Sequence, residues 1–282
     1  MENQNNEKRD FSIINCIATA LLAYFFTVPF HEFLHLVTHL IYGNKINVFS
    51  STYVNYDDLF NFSFHSPFHR IMSGGSASIL NAILGILLFF ILTRVHTMPS
   101  MLRLFLTQLM GGQLMEGFGY FLIGGLFAIG DYNVVFSYFP ESPGFVTGMR
   151  IFLSAVGIIS AFVILYILTY MTYSFVEDPT DKAERKYVSL RLNLCLFLTV
   201  IGAVFCLTLV VGGDVMTIFY NSMWFLYLVA FFYGWHGIMV KPPKESKFRC
   251  IIPKEAHPAI WGIAVVLTLI NIFILGPGIH FN

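Results

Sequence analysis

Charge is what this sequence has least of. Only 11% of its 282 residues are Asp, Glu, Lys or Arg, against roughly 25% in soluble domains. The 16 basic residues balance the 16 acidic ones to a formal net charge of zero, which gives no basis for expecting nucleic-acid binding. Cysteine is scarce too. Cys16, Cys195, Cys206 and Cys250 form no CxxC pair, so they read as packing residues and define neither a disulfide framework nor a redox compartment. No long hydrophilic insert, internal repeat or low-complexity tract interrupts the chain, and a separate soluble module is not expected.

What the chain has instead is apolar length. Hydrophobic residues make up 56% of it, more than a soluble core can hide, and a membrane span needs about 20 of them in a row. Seven stretches qualify, near 11–42, 71–93, 101–129, 149–173, 188–211, 216–239 and 258–278. The expectation is an all-α, polytopic helical bundle forming one integral domain, 1–282, in the lipid bilayer. The first stretch continues into the polar HEFLHLVTH without a small-residue cleavage site, so it reads as a permanent span and not a signal peptide. With seven spans, every Lys and Arg except Lys45, Arg70 and Arg150 falls on the side of the N-terminus, which predicts a cytoplasmic N-terminus. Trp224, Trp235 and Trp261 lie within or near the ends of the last two spans, and the end positions suit an interfacial belt. In the first outer loop, INVFSSTYVNY is rich in β-branched and aromatic residues and predicts a short β-ribbon. The segment 131–148, with Pro140 and Pro143, reads as an irregular loop, and the charged stretches 177–187 and 241–256 as solvated loops.

Ionisable residues inside spans are rare and costly, and they point to function. His31-Glu32-Phe33-Leu34-His35 places three of them within five residues. Residues four apart share one face of a helix, so both imidazoles can reach one metal ion while Glu32 lies beside it. That is the HExxH arrangement of zinc hydrolases: two His ligands and a Glu acting as general base. A catalytic zinc takes a third protein ligand and keeps a position for water. Asp131, at the end of the third span in FAIGDYN, meets that need, because the first and third spans run in the same direction and end at the same depth. The plainer reading of Asp131 is a helix cap or loop start. His39 drifts off the metal-binding face; Glu116 lies about 22 Å along a straight helix from Asp131; His65 and His69 sit in the long loop; Asp214 follows Gly212-Gly213 in a turn.

These pieces, in order, resemble the site-2 protease family of intramembrane metallopeptidases. HEFLH on a membrane helix is the first. SGGSASILNAILG, residues 73–85, is similar to the small-residue segment that opens the family's next core helix, and Gly130-Asp131 to the turn whose Asp completes its zinc site. The likeness covers residues 11–135, a three-helix core, and leaves four further spans over 149–278 outside it. There are departures: Gly75 stands where the family often has Pro, Ser78 where its Asn is expected, and Tyr132 follows Asp131 where it has Gly. There is no PDZ insert, and the charge count places the site near the outer face, where the family's site generally opens to the cytosol.

The resemblance implies one Zn²⁺ per chain on His31, His35 and Asp131, with Glu32 activating water to hydrolyse peptide bonds of membrane-embedded or membrane-proximal substrates. Asn81 or Ser78 would donate a hydrogen bond to substrate, and the ribbon over 43–56 could take the unwound substrate as an added strand. The alternative is a non-catalytic metal-binding membrane protein or transporter, with Asn81, Gln108, Gln113 and Glu116 lining a path.

Overall fold

The computed structural model describes residues 12–57, 66–211 and 250–281. Seven helices and three short strands make up this part of the chain. Helix α1 spans Ile13–Ile41 and is followed by strands β1 (Lys45–Phe49) and β2 (Val54–Asp57). Helices α2 (Pro67–Arg94), α3 (Ser100–Phe127), α4 (Asp131–Ser137), α5 (Pro143–Thr172), α6 (Lys182–Val211) and α7 (Pro258–Ile270) come next, and β3 (Ile279–His280) ends the order. Five of these helices are long and apolar enough to cross a membrane, and α3 with α4 forms a sixth such unit bent by 52°. The protein is therefore a polytopic helical membrane protein. Helices are the natural solution in lipid because every backbone polar group must be paired within the chain. The seventh expected span, 216–239, lies outside the described residues, as do Trp224, Trp235, Asp214 and His65.

Local chemistry sets several boundaries differently from the sequence expectation. The charged stretch 177–187 is a loop only to Asp181, whose carboxylate accepts from the Ala183 and Glu184 backbone amides and starts α6 at Lys182. Segment 131–148 is not an irregular loop throughout. Asp131–Ser137 is helical, and Pro143 begins α5 six residues before the expected 149, at the position where a missing N–H costs nothing.

Helix α3 lies at the centre, packed against α1, α2, α4 and α5. Its approach to the neighbours is backbone-close. A Cβ on Gly117 would stand 2.5 Å from the Ala82 nitrogen, and one on Gly125 would stand 2.5 Å from the Ser154 nitrogen. Close approach through small residues is how helices gain contact in a membrane, where lipid offers no hydrophobic drive to associate. Buried polar groups add hydrogen bonds between elements. Gln113 Nε2 donates to Thr27 Oγ1 at 3.3 Å, and Gln108 Nε2 to the Cys16 carbonyl at 3.4 Å. The buried Arg103 guanidinium donates to the Leu92 and Val95 carbonyls at the end of α2, satisfying groups that the helix terminus leaves unpaired.

The expected ribbon is present. Strands β1 and β2 pair antiparallel, with an irregularity between Ile46 and Val48, and β3 pairs antiparallel with the other edge of β1. The strand order is β2-β1-β3. Two further bonds fasten the turn after β1 to the region beyond α7: the Ser51 amide to the Leu275 carbonyl at 3.0 Å, and Ser50 Oγ to the Gly276 carbonyl at 3.1 Å. At the opposite end of α1, Asn15 accepts from the His257 amide and donates to the Glu255 carbonyl, both at 2.9 Å. These bonds join α1 and the ribbon to both ends of α7.

Candidate metal centre

Late in α1, the i, i+4 spacing sets His31 and His35 one above the other, with ring centroids 4.8 Å apart. Pro29, two residues earlier, lies inside the helix without ending it. Asp131 reaches the same point because of how α3 stops. Ala128 closes α3 in the left-handed region (φ 53°), its amide returning to the Gly124 carbonyl at 3.0 Å. Gly130 then takes φ 65° and ψ −151°, a combination open in practice only to glycine. The chain turns, and Asp131 becomes the first residue of α4.

Three donor atoms converge as a result. His31 Nε2 lies 3.1 Å and His35 Nε2 3.2 Å from Asp131 Oδ2, and the two Nε2 atoms are 3.2 Å apart. Donors placed tetrahedrally about 2.0–2.2 Å from one ion stand roughly 3.3 Å from each other. The near-equilateral triangle therefore fits a shared ion, and its chemistry, two imidazoles and a carboxylate, suits a borderline-soft divalent metal. His31, His35 and Asp131 form a group that can hold a metal ion.

Helix α2 supports this group from behind with one face. Gly74, Ser78, Asn81 and Gly85 recur at helical spacing. A Cβ on Gly74 would stand 2.8 Å from the Asp131 carbonyl oxygen, so glycine there lets α4 close in. Ser78 Oγ donates to Asp131 Oδ2 at 3.0 Å, and the Asn81 amide meets His31 Nδ1 at 2.9 Å. Asn81 and Ser78, expected to contact substrate, are fully buried and grip the candidate ligands. Asn81 Nδ2 donates to Nδ1, which leaves the His31 proton on Nε2, between imidazole and carboxylate. A metal on Nε2 moves that proton to Nδ1. A half-turn of the amide then lets Asn81 Oδ1 accept it, and Oδ1 is a buried atom that has no other hydrogen-bond partner.

In front of the group is a cavity of about 210 Å³, lined by Glu32, His35, Asp131 and Tyr120 from the helices and by Thr52, Tyr53, Val54 and Tyr56 from the ribbon. The Glu32 side chain borders this space beside His31 on the helix, and it makes no hydrogen bond among the described residues. His39 does not join the donor group. Its Nδ1 accepts from Asn44 at 3.0 Å and its ring stacks on Tyr56 with centroids 3.6 Å apart, so it fastens the ribbon to α1. Glu116 is buried between helices and is not a member of the group, and His69 packs edge-on against Tyr42 at 5.4 Å. Gln108 and Gln113 are used in the bonds between helices described above.

The sequence reading passed over Tyr120. Its ring stacks on His31 with centroids 4.8 Å apart and planes 13° from parallel. Spacing alone offered a faint signal: Tyr120 is eleven residues, about three turns, before Asp131. Compared with protein-family models, curated proteins and solved structures, the chain matches none.

Proposed function

We propose that the protein is a zinc-dependent intramembrane protease of the site-2 type. The observation that carries this reading is the donor triangle of His31, His35 and Asp131 beside Glu32, which has no hydrogen-bond partner among the described residues and borders one cavity together with His35 and Asp131. Metal storage or transport has no need of a carboxylate held next to the ligands and kept out of the ligand set, whereas hydrolysis does. A zinc ion held by the three residues supplies Lewis-acid activation of a water and of a carbonyl. Glu32 takes the proton of the attacking water and delivers it to the leaving amide nitrogen, so the carboxylate ends the cycle as it began. Ser78 and Asn81 hold Asp131 and His31 still while this happens.

The substrate is a membrane-embedded or membrane-proximal polypeptide. A helical substrate has its peptide groups tied up and must present an extended segment. Strand β2 pairs only with β1 among the described residues and contributes Val54 and Tyr56 to the cavity, so its outer edge suits an added strand beside Glu32.

The test is metal content and cleavage measured together on detergent-purified protein. Wild type is expected to hold about one zinc per chain. His31→Ala and Asp131→Ala should lose it, and Glu32→Gln should keep it. Glu32→Gln should also fail to cut a mixture of fluorescent single-span peptides in liposomes that wild type cuts. No zinc uptake by wild type, or undiminished cleavage by Glu32→Gln, would sink the proposal.

A further inference from the structure

We infer that Tyr120 is a further catalytic residue: its phenol donates a hydrogen bond to the oxyanion formed when water adds to the scissile carbonyl. The inference rests on the protease reading above and concerns a residue that the HExxH pattern does not include.

The Tyr120 ring is held on two sides. One face lies against His31, nearly parallel to it. The ring edge lies against Gly130, where a Cβ would come within 2.7 Å of Tyr120 Cε1. Gly130 therefore has two duties, turning the chain to present Asp131 and leaving room for this ring. So fixed, Tyr120 borders the cavity together with Glu32, His35 and Asp131. Its hydroxyl has no hydrogen-bond partner among the described residues, although it lies within electrostatic reach of Asp131, Glu116 and Glu32. A tyrosine stacked on one candidate ligand at the edge of the cavity, with its hydroxyl unpaired among the described residues, is placed for a partner that arrives with the substrate. A preorganised donor aimed at the place where negative charge develops stabilises the transition state more than the ground state. Chemically the step is simple. The water oxygen bonds to the carbonyl carbon as Glu32 takes its proton, and the carbonyl π electrons move to oxygen. That oxygen accepts from the Tyr120 O–H, then collapses as the C–N bond breaks and nitrogen receives the proton from Glu32. Tyr120 keeps its proton throughout.

The test is Tyr120→Phe, which removes one oxygen and leaves the stack on His31 and the fit against Gly130 in place. Three readouts are needed: zinc content, steady-state cleavage of the peptide mixture in liposomes, and affinity for a capped Leu-Leu phosphonamidate, whose tetrahedral oxygens mimic the oxyanion. We expect unchanged zinc, kcat lower by about 100- to 1,000-fold with KM nearly constant, and phosphonamidate binding weakened to a similar degree. Wild-type phosphonamidate affinity in Tyr120→Phe would overturn the inference and leave the protease reading intact. Loss of zinc in Tyr120→Phe would overturn it too, by assigning the hydroxyl to holding His31. A wild-type protein that holds zinc but neither cleaves peptides nor binds the phosphonamidate would remove the protease reading itself, and this inference with it.

Discussion

His31 and Asp131 are each gripped by one side chain from α2, and the grip has a measurable worth. Removing a hydrogen-bond partner of a metal ligand typically costs 10- to 100-fold in affinity. Asn81→Leu should therefore weaken zinc binding by about that factor in a chelator competition, because Nδ1 of His31 loses the acceptor that sets its tautomer. Ser78→Ala should cost less, since Asp131 is also fixed by its place at the start of α4. Unchanged affinity in Asn81→Leu would mean that the amide plays no part in holding the site. Single residues also show what the sequence could convey. His31, Glu32 and His35 were legible because helical spacing and the cost of ionisable groups in lipid act locally. Asp131 was legible because two parallel spans end at one depth. Tyr120 was not: its offset of eleven residues from Asp131 is a faint signal among 14 tyrosines, and the ring it stacks on lies 89 positions away. Asn81 and Ser78 were singled out for substrate, and their bonds to His31 and Asp131 were not foreseen, because spacing tells which face a residue occupies and not what lies against it.

At the level of elements, the break between α3 and α4 decides whether a third ligand exists. Gly130→Ala would place a Cβ at a positive φ and against the Tyr120 ring, a strain of about 1–3 kcal/mol. The expected result is loss of zinc while the helical circular dichroism is retained; full zinc occupancy in the variant would show that the turn tolerates a side chain. The prolines after Gly130 pointed to a loop, and the two turns of α4 carry no periodicity long enough to read. A second device steadies the same region. Arg70, near the start of α2, donates to the Tyr138 carbonyl and to Glu141 Oε1, both at 2.7 Å. Glu141's own backbone hydrogen bond and the Arg70 guanidinium hold this exposed carboxyl below the usual carboxylate range. A lowered value means that the tie is fully present above the ordinary carboxylate range and is lost as pH falls below that range, through the lowered value. Acidification below pH ~4 should lower the amide-exchange protection of residues 138–142, taken against the intrinsic rate at each pH, and in Glu141→Gln that protection should stay constant over the same interval.

Across the whole molecule, the donor group joins α1 to the α3–α4 turn, so a bound ion acts as a clasp between elements far apart in sequence. A ligand that binds only the folded state at 100 times its Kd adds about 2.7 kcal/mol. For a chain of this size that corresponds to a rise in Tm on the order of 5–10 °C on adding zinc. His31→Ala should show no rise, and a comparable rise in that variant would place the stabilising ion elsewhere. The three-stranded sheet has a different consequence, one of timing. Strand β1 is made early, but its partner β3 belongs to residues 279–280. At about 5–20 residues per second, a ribosome needs on the order of 10–40 s to travel from β2 to β3. During that interval HEFLH has already entered the bilayer, while the wall of strands beside it is still missing its last member. One edge of β1 thus stays open in the nascent chain until synthesis has passed every helix described here, and the sheet is closed by the element made last among them.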